Sequence, residues 1–153
     1  MSADPIRVLF VCTHNSARSQ IAEALLTRDG GDVFEVSSAG TEVTRVNPLA
    51  RRVIEEAGID WSGARSKSIT EFLDQRFDYV ITVCDRARAT CPVFPGSGTS
   101  LHWSLDDPSE VEGTEAEKLE AFRRTGEDIS ARLRPFIEDA LRAAGRPGRP
   151  ASA

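Results

Sequence analysis

Three cysteines, one arginine and one aspartate have the types and spacing to do chemistry. Cys12 ends an apolar run and stands six positions before Arg18 in VLFVCTHNSARSQ, Cys84 and Cys91 bracket the polar stretch CDRARATC, and Asp107 precedes a proline in LDDP. A thiolate is a strong nucleophile, and a guanidinium offers planar forked donors that hold two oxygens of a tetrahedral oxyanion as charge moves onto them. Lysine does this less well. Between the two lie Thr13, His14, Asn15, Ser16 and Ala17, whose amides, with those of a helix starting near Ser19, can curl around one anion. The turn has neither the glycines nor the Lys-Ser/Thr pair of a nucleotide-type loop. Asn15 is the residue best able to take a left-handed backbone, the task glycine performs elsewhere. Such a nest favours thiolate over thiol, with Ser16 and Ser19 as hydroxyl donors to the sulfur or the loop. A cysteine six residues before an arginine also arises by chance; at a strand-to-helix turn followed by serine the pattern is specific.

The elements that must position these residues are readable from hydrophobic periodicity. IRVLFV at 6–11 is apolar and β-branched nearly throughout, a strand covered on both faces. An amphipathic helix follows over 19–27, then a second strand over 33–37. Asn47 and Pro48 supply a cap and a first helical residue, and Gly58 closes that helix. YVITVC at 79–84 is a third strand and 100–104 a shorter candidate. Thr114 and Glu117 form a capping box for a long helix with the stripe Phe122, Ile129, Leu133, Phe136, Ile137 and Leu141, with Gly126 and Pro135 as points of bending. Strands alternating with helices predict an α/β fold with a parallel sheet covered on both faces, where ligands bind beyond the carboxyl ends of the strands. Cys12 and Cys84 each end a strand in this reading, and so open on the same edge.

The chain has 153 residues, enough for one catalytic domain over 1–144, while GRPGRPASA at 145–153 has nothing to bury and is expected to be a disordered tail. No apolar run reaches the length of a membrane span, and MSADPIR lacks the apolar core of a signal peptide. A cytoplasmic location and no membrane partner are expected. A net charge of -5 provides no basic face for nucleic acid. Three cysteines without a secretion signal read as reactive thiols rather than a disulfide framework. His14 and His102 are distant and lack a paired-cysteine pattern, so no metal is expected. Trp61, Trp103 and Tyr79 read as packing residues, and the acidic stretch over 110–120 as a solvated helix start.

VCTHNSARS resembles the signature loop of the low-molecular-weight protein tyrosine phosphatase family, over about 6–143 of the chain. The resemblance implies a three-layer α/β/α fold with a central four-stranded parallel sheet. It also implies an oxyanion loop for phosphate or arsenate, here Cys12, Thr13, His14, Asn15, Ser16, Ala17, Arg18 and Ser19. An aspartate before proline would act as general acid, a role that falls to Asp107, with Asp106 as the neighbour competing for the assignment. Without the resemblance Asp107 reads equally as a residue organising a turn.

A phosphatase needs one thiol. In chain order Cys12, Cys84 and Cys91 look like the three redox cysteines of thioredoxin-coupled arsenate reductases, a subfamily on the same fold. That resemblance implies that Cys12 attacks arsenate, that Cys84 expels arsenite by bonding to Cys12, and that Cys91 then leaves a disulfide between Cys84 and Cys91. Thioredoxin or a similar dithiol protein would reduce it, with no bound cofactor. Were CDRARATC helical, the pair would stand about 10.5 Å apart, against roughly 4.4 to 6.8 Å between the α-carbons of a disulfide, so the segment must rearrange. Asp85, Arg86, Arg88 and Thr90 make it polar enough to loosen, Arg86 and Arg88 are expected to lower the pKa of neighbouring thiols, and Pro92 marks its end.

Some features depart from the resemblance. Ala17 stands where some relatives have a fourth cysteine, and His14 where others have glycine. Lys67 lies where some relatives carry an acid that helps hold potassium near Asn15 and Glu23; its ammonium is expected to replace the ion by pairing with Glu23. A monomer is expected. The alternatives are a low-molecular-weight protein tyrosine phosphatase, weakened because SEVEGT after Pro108 has no aromatic residue to stack on phosphotyrosine, and a phosphocarrier module, weakened by Arg18. A fourth reading keeps arsenate but uses glutathione or mycothiol in place of Cys91.

Overall fold

Strand β1 (Ile6–Cys12) is the hinge of the architecture, because both of its edges are paired. In the computed structural model, which describes residues 4–91, 94 and 96–146, it is followed by α1 (Arg18–Gly30), β2 (Phe34–Gly40), α2 (Pro48–Glu56), β3 (Tyr79–Thr82), α3 (Asp85–Thr90), β4 (Thr99–His102) and α4 (Glu115–Ala143). The four strands form one parallel sheet in the order β2-β1-β3-β4. The expected α/β fold with a four-stranded parallel sheet is therefore present. From the middle of the sheet the β1 to β2 and β3 to β4 crossovers run in opposite directions, so right-handed connections put α1 and α3 on opposite faces. Helix α4 returns to pack on α1 and α2.

Valine, leucine and phenylalanine fill β1 because both faces of its strand are covered; Val8, Leu9, Phe10 and Val11 have no exposure. Phe10 meets Trp103, which lies edge-on to Phe136 of α4, and Phe34 and Tyr79 pack on the same ring. A second cluster joins Phe72, Phe77 and Phe94. Trp103 and Tyr79 are thus packing residues, as their sequence context suggests.

Asn47 caps α2 through its side-chain oxygen, which accepts from Leu49 N at 2.8 Å, with Pro48 as first helical residue. Thr114 and Glu117 form the expected capping box of α4. That helix runs 29 residues through both Gly126 and Pro135. A Cβ on Gly126 would lie 3.4 Å from Val53 Cγ1, so the glycine lets α4 approach α2 closely.

Several boundaries move, among them that of the first helix, which runs to Gly30. Strand β2 continues to Gly40, β4 ends at His102, and β3 stops at Thr82 rather than reaching Cys84. Val83 N still donates to Val11 O at 2.9 Å, but Cys84 has already turned to become the N-cap of α3. At the other end, Arg146 N donates to Leu141 O at 2.8 Å, and the Arg146 guanidinium reaches Asp4 O and Val33 O. Gly145 and Arg146, the first residues of the segment expected to be a disordered tail, are thus held on the fold; the rest of that segment, like Pro92, lies outside the described residues. Among the described residues no helix is long and apolar enough to cross a membrane.

Candidate active site

Cys12 is the last residue of β1, buried, with its sulfur facing the loop that leads into α1. Asn15 N–H donates to Cys12 Sγ at 3.1 Å, and Ser19 Oγ lies 2.8 Å from the same sulfur. Asn15 has φ 49°, the left-handed conformation expected of it, and is the one non-glycine residue with positive φ among those described. His14 therefore adopts no conformation that glycine alone would favour.

The hydrogens of this loop can be assigned a direction. Lys67 N–H, which only donates, meets Asn15 Oδ1 at 2.8 Å, so the amide nitrogen Nδ2 must point the other way. There it donates to Ser19 Oγ at 2.8 Å and Ser38 Oγ at 2.9 Å. Ser38 Oγ donates to the Glu23 carboxylate, and Ser19, already accepting from Asn15, has its O–H free to donate to Cys12. Two donors on one sulfur suit a thiolate, since a neutral thiol is a weak acceptor. Gln20, fully buried, completes the support: Nε2 donates to Asn15 O at 3.1 Å and Arg65 O at 3.0 Å, and Oε1 accepts from Trp61 Nε1 at 2.9 Å.

The end of β2 backs the loop. A Cβ on Gly40 would fall 2.7 Å from both Asn15 N and Thr13 O, so only glycine allows the loop backbone to lie there. Thr41 N donates to Cys12 O at 3.2 Å and Glu42 N to Thr13 O at 2.7 Å. Ser66 Oγ donates to His14 O at 2.7 Å, and Asn47 N to Ser16 O at 2.9 Å. Ala17, the remaining loop residue, is the buried N-cap of α1 and makes no side-chain cap bond.

Arg18, the first residue of α1, donates through Nη1 to Leu105 O at 2.9 Å, and its Nη2 lies 3.5 Å from Asp107 Oδ2. The other oxygen, Asp107 Oδ1, accepts from Ser109 N at 2.9 Å and Ser109 Oγ at 2.6 Å, which caps the turn Pro108–Glu110. One oxygen of Asp107 thus organises the turn, and the other faces the arginine.

Cys84 comes to the same edge from β3. Its sulfur is 3.2 Å from Thr13 Oγ1 and accepts from Ala87 N at 3.3 Å. Cys91 is the C-cap of α3, which is helical throughout Asp85–Thr90, so the two cysteines do sit at opposite ends of a short helix. All three cysteines are free thiols. Burial pushes the Cys91 thiol above its ordinary pKa. This is opposite to the expected lowering by Arg86 and Arg88, and desolvation of the half-buried thiol is its cause. The side chains of Arg86 and Thr90 lie outside the described residues.

Lys67 Nζ stands 3.5 Å from Glu23 Oε1, the expected ion pair. With an ammonium on that carboxylate, and Asn15 Oδ1 already accepting from Lys67 N, these residues do not fit a potassium ion. Nor do the described His, Cys, Asp and Glu residues gather into a group of three that could hold a metal.

Cys12, Arg18, Cys84 and Asp107 are thus brought together around one loop, and Cys91 stands apart at the far end of α3. Gly40, Ser38, Ser66 and Gln20 escaped sequence reasoning. A glycine closing the apolar end of SSAG was the faintest of signals, and the others carry none.

Comparison with known proteins agrees with this geometry. Residues 7–145 match the family described as low molecular weight phosphotyrosine protein phosphatase. An arsenate reductase of Halalkalibacterium halodurans is 42% identical over 131 residues, which are 86% of this chain and 94% of that protein. A solved arsenate reductase in the phosphate binding state superposes with a TM-score of 0.76 at 34% identity, covering 88% of this chain and 98% of the other. A thioredoxin-dependent arsenate reductase of Corynebacterium glutamicum superposes with a TM-score of 0.66 at 34% identity, covering 91% of this chain and 65% of that one.

Proposed function

This chain belongs to the low molecular weight phosphotyrosine protein phosphatase family, and we propose that it is an arsenate reductase working through Cys12, Cys84 and Cys91. The observation that carries this reading is the 3.2 Å contact between Thr13 Oγ1 and Cys84 Sγ, which seats a second buried thiol on the loop of the first. A phosphatase has no use for it.

The Cys12 thiolate attacks arsenic while Arg18 and the loop amides hold the arsenate oxygens, and Asp107 gives a proton to the oxygen that leaves as water. The Cys84 thiolate then attacks Cys12 sulfur. The sulfur–arsenic bond breaks with its electron pair going to arsenic, arsenate becomes arsenite, and Cys12 and Cys84 are left as a disulfide. Cys91 attacks Cys84, frees the Cys12 thiolate, and leaves a disulfide between Cys84 and Cys91. That bond needs α3 to open, and α3 is suited to it: of its described side chains only Ala87 is buried, so melting it uncovers little apolar surface. A dithiol protein of the thioredoxin kind is the electron donor, as in the Corynebacterium glutamicum protein.

In this reading the enzyme is a monomer without bound cofactor or metal, and its partners are arsenate and the dithiol protein. Phosphotyrosine hydrolysis is the weaker alternative, since Val111 rather than an aromatic ring is the exposed apolar side chain beyond Pro108.

The test is arsenate turnover with thioredoxin, thioredoxin reductase and NADPH. Wild type should consume NADPH continuously, Cys91→Ser should stop after one arsenite per chain, and mass spectrometry after one wild-type turnover should link Cys84 to Cys91. Undiminished cycling of Cys91→Ser with thioredoxin alone, or a final link to Cys12, would overturn the relay.

A further inference from the structure

Beside the second thiol lies a polar cluster that these steps leave without a role. Thr82 is the last residue of β3, His102 the last of β4, and Asp85 the first of α3, directly after Cys84. The imidazole joins them: Nδ1 is 2.7 Å from Thr82 Oγ1, and Nε2 is 2.7 Å from Asp85 Oδ1. Ser104 Oγ donates to the same carboxylate oxygen at 3.4 Å. An ionised carboxylate only accepts, so Nε2 carries a hydrogen; Nδ1 then accepts from the Thr82 hydroxyl or, in the imidazolium, donates to it. Either ring state closes the cluster. His102 also lines, with Arg88 and Cys91, a cavity of about 440 Å³.

We propose that His102 and Asp85 are positioning residues for Cys84, a clasp that pins the first turn of α3 to the end of β4 while the Cys91 end rearranges. This rests on the arsenate-reduction reading. The reaction makes two conflicting demands on Cys84. To expel arsenite it must stay at the Cys12 loop, whereas to be attacked by Cys91 it needs α3 to open. A helix loosened at both ends would meet the second demand at the expense of the first. A clasp on the residue after Cys84, together with the Thr13 contact, makes the opening one-sided. Cys84 then receives both bonds with little movement, and Cys91 covers the distance.

The experiment is a single turnover in a Cys91→Ser background without reductant, where the reaction halts once Cys84 has expelled arsenite, at a series of arsenate concentrations. Adding His102→Ala or Asp85→Ala should slow the limiting rate of arsenite release about threefold, the scale of a pair whose carboxylate is largely exposed, with the half-saturating arsenate concentration unchanged. Asp85→Asn keeps an oxygen that accepts from Nε2 and should release arsenite at nearly the unsubstituted rate. An unchanged limiting rate in both alanine variants overturns the clasp, as does a loss shared equally with arsenate binding, which would mark a merely structural role. Failure of the Cys91→Ser protein itself to release arsenite removes the arsenate reading, and the clasp with it.

Discussion

Arg18 Nη2 lies 3.5 Å from Asp107 Oδ2, while Nη1 of the same guanidinium donates to Leu105 O at 2.9 Å. One planar group therefore ties the start of α1 to the loop that carries Asp107. In the proposed reaction Arg18 would hold the oxyanion and Asp107 would give the proton, and this contact keeps the two side chains from drifting apart independently, the preorganisation that displacement at a tetrahedral centre requires.

Asp107→Asn separates the two jobs of that residue. The amide oxygen still accepts from Ser109, so the turn Pro108–Glu110 stays capped, but no proton is available. Arsenate reduction, and hydrolysis of phenyl phosphate if it is detectable, should fall by roughly 100- to 10,000-fold with the melting temperature nearly unchanged. Asp107→Ala should show the same loss plus about 1 kcal/mol of destabilisation in urea, the scale of a lost cap. Equal activity of Asp107→Asn and wild type would move the acid elsewhere.

Gly40→Ala tests the backing of the loop. The new methyl meets backbone atoms of Thr13, His14 and Asn15, none of which can swing aside as a flexible side chain would. The loop must shift by a few tenths of an ångström or more, which displaces the Asn15 amide from Cys12 sulfur. Arsenate turnover should drop about 100-fold, in keeping with the cost of a small misplacement at a reacting centre. Steady-state kinetics on a variant with a native circular dichroism spectrum would check it.

What was legible in the chain was what is local along it. The loop from Cys12 to Arg18 is consecutive, its polar turn interrupts an apolar run, and Asn15 stands alone as a residue tolerant of positive φ. The end of β3 was misplaced for a physical reason: Val83 and Cys84 remain buried after pairing stops, so YVITVC reads as strand to its last residue. Gln20, Ser38, Gly40, Ser66 and His102 act mostly through partners 15 to 52 positions away, and no periodicity marks such contacts. Charges near Cys91 are visible in sequence and its burial is not, and burial is what raises its pKa.

Lys67→Met should expose the role of the ion pair with Glu23. Both side chains are largely covered, at 16% and 17% exposure, so leaving the carboxylate with Ser38 but without its counter-charge is costly, and the loss should be about 2 kcal/mol. Potassium should then raise the melting temperature of the variant more than sodium does at equal ionic strength, whereas wild type responds alike to both. A potassium-specific gain in wild type would refute the replacement of ion by lysine.

Cys91 provides the last test, through its burial. Desolvation favours the uncharged thiol, so the native state keeps the proton above the ordinary thiol value of 9.0, and this contribution to stability is present below that value and is lost as pH rises toward the raised one. The thiolate is the reactive form, so iodoacetamide should label Cys91 in the reduced protein more slowly than a free thiol, with a rate that climbs about tenfold per pH unit below its pKa. Ala87→Gly removes the buried methyl of α3 and about 1 kcal/mol of helix propensity, so the open helix becomes several-fold more populated. Labelling of Cys91 should rise by the same several-fold, read by peptide mass spectrometry, because opening is what releases the thiol. If Ala87→Gly labels no faster than wild type, the thiol is not gated by α3, and the relay would need another motion to bring Cys91 to Cys84.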